Sequence, residues 1–576
     1  MSLYRIFRES IKSLGVRDYT SIKKELTSSD YVFENFFDEF SRNESFKGNI
    51  ADFVFRTLAE NPTRIAVVDY GVECGPKKIS SGMLLALSIE IAKYIKANVK
   101  NGRIAVALQP GILSYAVNIG IILSNNVPVN INFSLGNVSV SAALEKANCK
   151  FVFSSEYILK KVPNFLPKCP IIDIAKVVGD FKRYRLLKNF FKICLLPIRW
   201  LIKIYNVPQV GNNAEAALLF SSGTTGAPKG IPFSHKNIIG NCLQISGSGI
   251  GLGCKALLSC LPIFHSFGLT VNMWFALMMK LKVVTVGSPL EYKKIANAIY
   301  NEKVDVLVST PTFLRPYIMQ VDREKLKSLK YVIVGAERIP VELSYSWENK
   351  FGSSLLAGYG LTESSPVVSV NYPSLRGDKR DQQIGSVGRL LPGIAIKFIG
   401  PETGKVMPLG ERGVLCVKGV NVFKGYLDDN EKTAEILNDG WLITKDLACF
   451  TSDGFLRIDG RVSRFSKIGG EMVPHEGVEE AIIKVLDIRC EDCPQIAVVA
   501  RVNEKKGEKL SLLTTVHIEQ QELTSKMLQA GYSSLWIPKE IINVNKIPVL
   551  ATGKLDIVGC KNLLIEKLKC DTNHAS

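Results

Sequence analysis

Residues 216–230 read AALLF followed by SSGTTGAPKG, and the fold turns on this stretch. The first five residues are an apolar run of strand length. The next ten are small, hydroxylated and glycine-rich, which leaves backbone N–H groups free to cradle a phosphate. Ser221, Thr224 and Thr225 add hydroxyl donors and Lys229 adds positive charge. With Ser222, Gly223 and Gly226 they form a candidate phosphate-binding loop. It is not a Walker A loop, because the GxxxxGK[ST] spacing is missing.

Similar runs flank it. Like the strand at 216–220, strand-like segments at 104–108, 283–286, 304–308 and 331–334 each lead through Gly, Pro or Ser into a longer amphipathic, helix-like stretch. That alternation over 51–460 is the pattern of parallel α/β sheets. After residue 461 the texture changes to one helix near 476–485 and a strand pair near 497–502 and 511–517, a small α+β unit. The expected organisation is an N-terminal extension (1–50), a large domain (51–463) and a small C-terminal domain (464–576).

The chain has 576 residues, 46% of them hydrophobic and 22% charged. Such a composition excludes a disordered or fibrous chain. Thirteen cysteines are scattered, apart from a CxxC pair at Cys490 and Cys493, and read as reduced thiols of a cytoplasmic protein. Five histidines never fall at metal-ligand spacing. The start, MSLYRIFRESIKSLG, lacks a secretory h-region, and its helical spacing reads as a short surface helix.

Lys and Arg number 72 against 54 Asp and Glu, a net charge of +18. Residues 464–576 are neutral, so the surplus lies in 1–463. It suits an acidic macromolecule or an anionic membrane. No nucleic-acid recognition module accompanies it, so nucleic acid is not expected. Residues 181–203 carry Lys182, Arg183, Arg185, Lys188, Lys192, Arg199 and Lys203 and no acid. At helical spacing Arg185, Lys188, Lys192, Arg199 and Lys203 share a face, and Pro197 is expected to kink the helix. The segment 181–205 is either a peripheral membrane contact at the inner face of a membrane or an ordinary packed connector.

The loop at 221–230 resembles the phosphate-binding signature of the adenylate-forming (AMP-binding) superfamily, which includes acyl-CoA synthetases, luciferases and peptide-synthetase adenylation domains. Further motifs follow in the family's order: GYGLTE at 358–363, WLITKD at 441–446, Gly460–Arg461 at the hinge motif and ATGK at 551–554. The resemblance implies a large α/β N-terminal domain with mixed and parallel sheets, plus a small α+β C-terminal lid.

It also implies roles. Tyr359 stacks on adenine, bordered by Gly335, Ala336 and Glu337. Thr362 holds the α-phosphate, and Glu363 ligates Mg²⁺. Asp446 accepts the ribose hydroxyls with Arg461 nearby, and Lys554 reaches the α-phosphate. Lys467, Gly469 and Gly470 belong to the loop that serves the thioester step. His265 lies beside the acyl pocket in the family; as a residue it reads equally as a satisfied core histidine.

RFSKIGGEMVPHEGVEEAI at 464–482, LPIFHSFGLT at 261–270 and GYGLTESSPVVSVN at 358–371 are most similar to the acyl–[acyl-carrier-protein] synthetases, including the ligase half of bifunctional 2-acylglycerophosphoethanolamine acyltransferases. No histidine here has Asp five residues on, so the acyltransferase motif of those enzymes is absent. The implied activity is an AMP-forming ligase. It uses ATP and Mg²⁺ to activate a fatty acid and transfers it to the thiol of an acidic acyl-carrier protein. The alternatives are a long-chain acyl-CoA synthetase and a weakly catalytic, membrane-associated fatty acid or acyl-AMP binding protein. Three departures from the family pattern stand out. Lys445 replaces the glycine before Asp446, Ser463 and Arg464 replace the hinge residues, and the last motif reads IPVLATGK.

Overall fold

The computed structural model describes residues 32–35, 40, 48–72, 75–99, 102–134, 137–162, 165, 167–222, 228–372, 382–468, 471–488, 494–503, 507–549 and 555–573. Its largest sheet has a parallel core ordered Leu355–Gly360, Tyr331–Val334, Val306–Ser309, Ala256–Ser259, Lys282–Thr285 and Ile65–Asp69. These strands are short runs such as VLVS and YVIV, buried nearly throughout, as expected where helices cover both faces. The helix Pro311–Gln320 shows how sequence sets the crossovers. Thr310 caps it by accepting from Phe313 N–H, and Pro311 occupies its first turn.

A second sheet runs Ile171–Asp173, Val152–Ser154, Arg103–Val106, Val127–Asn130 and Glu215–Ser222 in parallel, with Pro228–Ser234 antiparallel at its edge. Ile112–Leu123 is apolar on nearly every side and buried, and it packs on the buried part of Ser81–Asn98 so closely that a Cβ on Gly120 would come within 2.7 Å of Ile91. The buried Tyr115 hydroxyl joins the two sheets, lying 3.1 Å from Ser259 Oγ and donating to the Asn272 carbonyl at 2.8 Å.

A third, antiparallel sheet contains Ile394–Ile399, Gly413–Gly419, Trp441–Phe450 and Leu456–Arg461. Val32–Asn35 adds to it along Ile394–Ile399, and Phe40 packs on Gly393. Part of the stretch set apart as an N-terminal extension is thus built into this sheet. The fourth sheet draws only on strands from Phe465–Ile468 onward. Together with His475–Leu486 and Gln520–Gln529 it encloses a core of its own around Ile482, Val498, Leu512 and Met527.

Two expectations need correction. The strand before the glycine-rich loop does not lead into a helix. It returns as the antiparallel strand Pro228–Ser234, and the helix His235–Gly247 begins only after that. The basic segment is not one kinked helix but two, Arg183–Leu195 and Ile198–Ile204, because Pro197 starts the second. The N-terminal surface helix and the CxxC pair lie outside the described residues. Among the described residues, no helix is long and apolar enough to cross a membrane.

Candidate active site

The hairpin Glu215–Ser222/Pro228–Ser234 lies at a sheet edge and pairs Ser221 with Lys229, near the two ends of the candidate phosphate loop. Gly223, Thr224, Thr225 and Gly226 lie outside the described residues, as does the side chain of Ser222. Beyond the hairpin, Lys229 holds its ammonium 5.2 Å from the centre of the Tyr426 ring, a cation–π arrangement. The Gly230 carbonyl accepts from Leu427 N–H at 2.9 Å, so loop base and residues 426–427 are fixed together.

Tyr426 extends this link. Its hydroxyl donates to Glu363 Oε1 at 2.7 Å, while Phe423 N–H donates to the Glu363 carbonyl at 2.9 Å. Thr362–Ser364 is a single tight turn after the strand Leu355–Gly360, which presents Thr362 and Glu363 at the strand's C-terminal end. Sequence reasoning missed Tyr426. Its only local signal is an aromatic residue after Gly425, whose φ of +138° favours glycine.

On the neighbouring strands, Asp446 and Arg461 face one another across the ladder of Trp441–Phe450 and Leu456–Arg461. Asp446 is 5% exposed. Its Oδ1 accepts from Arg461 Nε at 2.9 Å and its Oδ2 from the Tyr359 hydroxyl at 2.5 Å. Burial and the facing carboxylate push the Tyr359 hydroxyl well above its ordinary pKa, so it remains a donor. Lys445 is in the left-handed region at φ +63°, inside a register shift of the ladder with Gly413–Gly419. The backbone thus has a physical use for the family's glycine there. Glu337 Oε2 accepts from Thr312 Oγ1 at 2.7 Å, while its Oε1 is buried with no partner among the described residues.

One extensive open cleft of 3380 Å³ has Ser221, Lys229, His265, Gly335, Ala336, Glu337, Tyr359, Thr362, Glu363, Asp446 and Arg461 among its many lining residues. His265 is half-buried, and the wall near it in sequence is apolar, with Leu261, Phe264, Phe267 and Val271. A nine-residue π-helix, Phe267–Phe275, starts there, a form that recurs at functional sites. Gly268 makes it possible, since a Cβ would come within 2.1 Å of the Pro262 carbonyl.

The far wall includes Glu476, Glu480 and Lys561. Arg338 and Glu480 form an exposed ion pair at 3.3 Å across this boundary. Arg464, one of the departures, is buried rather than free. It pairs with Glu479 at 2.7 Å and donates to the Val498 carbonyl at 2.9 Å, inside the smaller unit. Gly469, Gly470 and Lys554 lie outside the described residues, as does the side chain of Lys467. Among the described residues no cluster of three His, Cys, Asp or Glu is placed to hold a metal. Glu363 offers a single carboxylate. That suits Mg²⁺, which keeps its waters and shares one or two carboxylates with substrate phosphates.

A family model described as AMP-binding enzyme matches residues 54–427. A long-chain-fatty-acid–CoA ligase of Bacillus subtilis (strain 168) is 26% identical over 542 residues, covering 87% of this chain and 91% of that protein. The mitochondrial medium-chain acyl-CoA ligase ACSF2 of Mus musculus is 28% identical over 476 residues, 77% of this chain and 75% of that one. Among solved structures, ATP-bound MatB from Rhodopseudomonas palustris superposes with a TM-score of 0.72 at 24% identity, covering 90% of this chain and 99% of that one.

Proposed function

Since the chain belongs to the AMP-binding enzyme family, we propose that it is an AMP-forming ligase that activates a fatty acid and hands it to a thiol. One observation carries this reading. A single cavity joins the phosphate-loop base (Ser221, Lys229), the Thr362–Glu363 turn and the Tyr359–Asp446–Arg461 cluster to an apolar wall beside His265.

In the first step a fatty carboxylate oxygen attacks the α-phosphorus of ATP, and pyrophosphate leaves. Lys229 and Lys554 offset charge on the phosphates, and Thr362 donates to the α-phosphate. Such chemistry depends on positioning and electrostatics more than on proton transfer. Glu363, held by Tyr426, would ligate Mg²⁺, which would neutralise phosphate charge. Asp446 exchanges the Tyr359 hydroxyl for ribose hydroxyls, and the Gly335–Glu337 segment borders the adenine. His265 orients the carboxylate at the apolar wall.

In the second step residues 464–576 turn as a lid, withdrawing Lys554 and bringing the Lys467–Gly469–Gly470 loop to the site. A thiolate then attacks the acyl carbonyl and AMP leaves. A weak exposed ion pair such as Arg338–Glu480 presents little resistance to that motion. The setting that fits is the cytoplasm, near an inner membrane face.

Two acceptors carry the required thiol. CoA is favoured by the names of the relatives, which are fatty acid–CoA ligases. Acyl-carrier protein is favoured by the subgroup resemblance at 464–482 and by the +18 charge, which would draw an acidic protein. Transfer to a carrier would weaken steeply with salt while adenylation hardly changed. The reading is tested by fatty-acid-dependent exchange of labelled pyrophosphate into ATP. Exchange that falls at least a hundredfold in Asp446→Asn supports it, and absent exchange in the native protein sinks it.

A further inference from the structure

The stretch 181–205 is packed on one side and open on the other. Inward, Ile193 and Leu201 are buried. Asn189 donates to Glu90 Oε1 at 2.7 Å and accepts from the Tyr205 hydroxyl at 3.1 Å. These contacts fix the helix pair against Ser81–Asn98. Outward, Tyr184, Leu187, Phe191 and Leu195 fall within about 80° of arc on the first helix at 100° per residue. Trp200 and Ile204 add two more on the second. Phe191, Leu195 and Trp200 are 56%, 77% and 53% exposed. Six of the nineteen large apolar side chains exposed among the described residues are crowded into these twenty-one positions, a density that marks a binding face.

Cations border the stripe. Arg185 and Lys188 flank it on one side and Arg183 on the other, all exposed, and Arg199 and Lys203 continue along the second helix. No Asp or Glu occurs from 181 to 214. We propose that this face docks on an anionic lipid bilayer. The six apolar side chains enter the interface, and the surrounding Arg and Lys meet the headgroup phosphates. The pattern is that of a helix lying in the plane of a membrane surface, with aromatic side chains at headgroup depth.

Charge selects this occupant. A second copy of the chain would set these cations against their own kind at close range. A stripe of Tyr, Phe, Leu and Trp between cations also matches the layered polarity of a bilayer surface better than an acidic protein rim. The proposal goes beyond the ligase reading and does not depend on it. If both hold, the protein works where a long-chain acid is dissolved.

Flotation of the full chain with vesicles tests it without reference to activity. With vesicles of equal phosphatidylcholine and phosphatidylglycerol the protein floats. Phosphatidylcholine alone binds about tenfold less, and added salt lowers binding to the anionic vesicles. F191S/L195S/W200S and K188E/K192E each lower binding about tenfold or more while keeping the native melting temperature. Protein that remains in the buffer fraction with anionic vesicles overturns the proposal. So do folded variants that float like the native chain. Sedimentation showing a dimer that the triple variant dissolves would assign the face to a second copy and equally overturn it.

Discussion

The Tyr426 hydroxyl donates to Glu363 Oε1 at 2.7 Å, so the carboxylate at the end of the strand Leu355–Gly360 is aimed by a residue 63 positions away. The same ring carries the Lys229 ammonium on its face. One side chain therefore couples the base of the candidate phosphate loop to the candidate metal ligand. Tyr426→Phe keeps the ring and removes the donor. We expect the Mg²⁺ concentration needed for half-maximal adenylation to rise about tenfold, the usual cost of losing a partner behind a metal ligand. An unchanged Mg²⁺ titration would detach Tyr426 from Glu363's role.

Lys445 holds a left-handed backbone directly before Asp446. A side chain there costs about 1 kcal/mol that glycine avoids, partly offset by glycine's greater freedom in the unfolded chain. Lys445→Gly should stabilise the protein by about 0.5 kcal/mol in urea unfolding, and Lys445→Ala should not. Equal effects would place the gain in the lysine charge instead.

Two buried histidines make stability depend on pH. Burial lowers His235, whose Nδ1 accepts from Ile50 N–H, to about 4. Burial, aided by Arg464 and Lys561, lowers His475 to about 3, and its Nε2 lies 2.7 Å from Ser466 Oγ. In the unfolded chain both take up a proton near pH 6.5, and in the folded chain they do not. The unfolded state is therefore favoured as pH falls below 6.5, and at pH 5 each histidine accounts for about 2 kcal/mol of lost stability. Urea unfolding at pH 7.5, 6 and 5 measures this. The loss begins above the range where ordinary carboxylates titrate, and a flat profile to pH 5 would contradict it.

Lys554→Ala separates the two half-reactions. Adenylation should fall by three orders of magnitude or so, in line with removal of a cation that stabilises transition-state charge. Thioester formation from supplied acyl-AMP should persist if, as proposed, the lid turns Lys554 away before that step. Equal loss of both steps would contradict that division.

The parallel core was legible because its strands are short apolar runs, YVIV at 331–334 among them, bounded by breakers and buried on both faces. The hairpin behind the phosphate loop was not. Proline disfavours strands, yet Pro228–Ser234, with Pro228 and Pro232, is an edge strand, where a missing N–H costs the ladder little. The basic segment showed its charge and its break at Pro197 but not its outward apolar stripe. A helical wheel carried through the proline mixes the faces of two helices. Thr362, Glu363 and Asp446 stand in short motifs that the family resemblance picks out. Tyr426 does not, since its partnership with Glu363 exists only across folded sheets. Arg464 looked like an altered hinge residue, and only packing reveals its pairing with Glu479.

The most direct test of the ligase account is AMP release by the purified full chain with Mg·ATP and a long-chain fatty acid, run with CoA, with holo-acyl-carrier protein and with no thiol. An AMP-forming acid–thiol ligase gives multiple turnover that requires both the fatty acid and a phosphopantetheine thiol, the faster acceptor identifying the physiological one. Absence of fatty-acid-dependent AMP release with either acceptor, together with no pyrophosphate exchange, would contradict it and leave a protein that binds acyl chains or nucleotides without joining them.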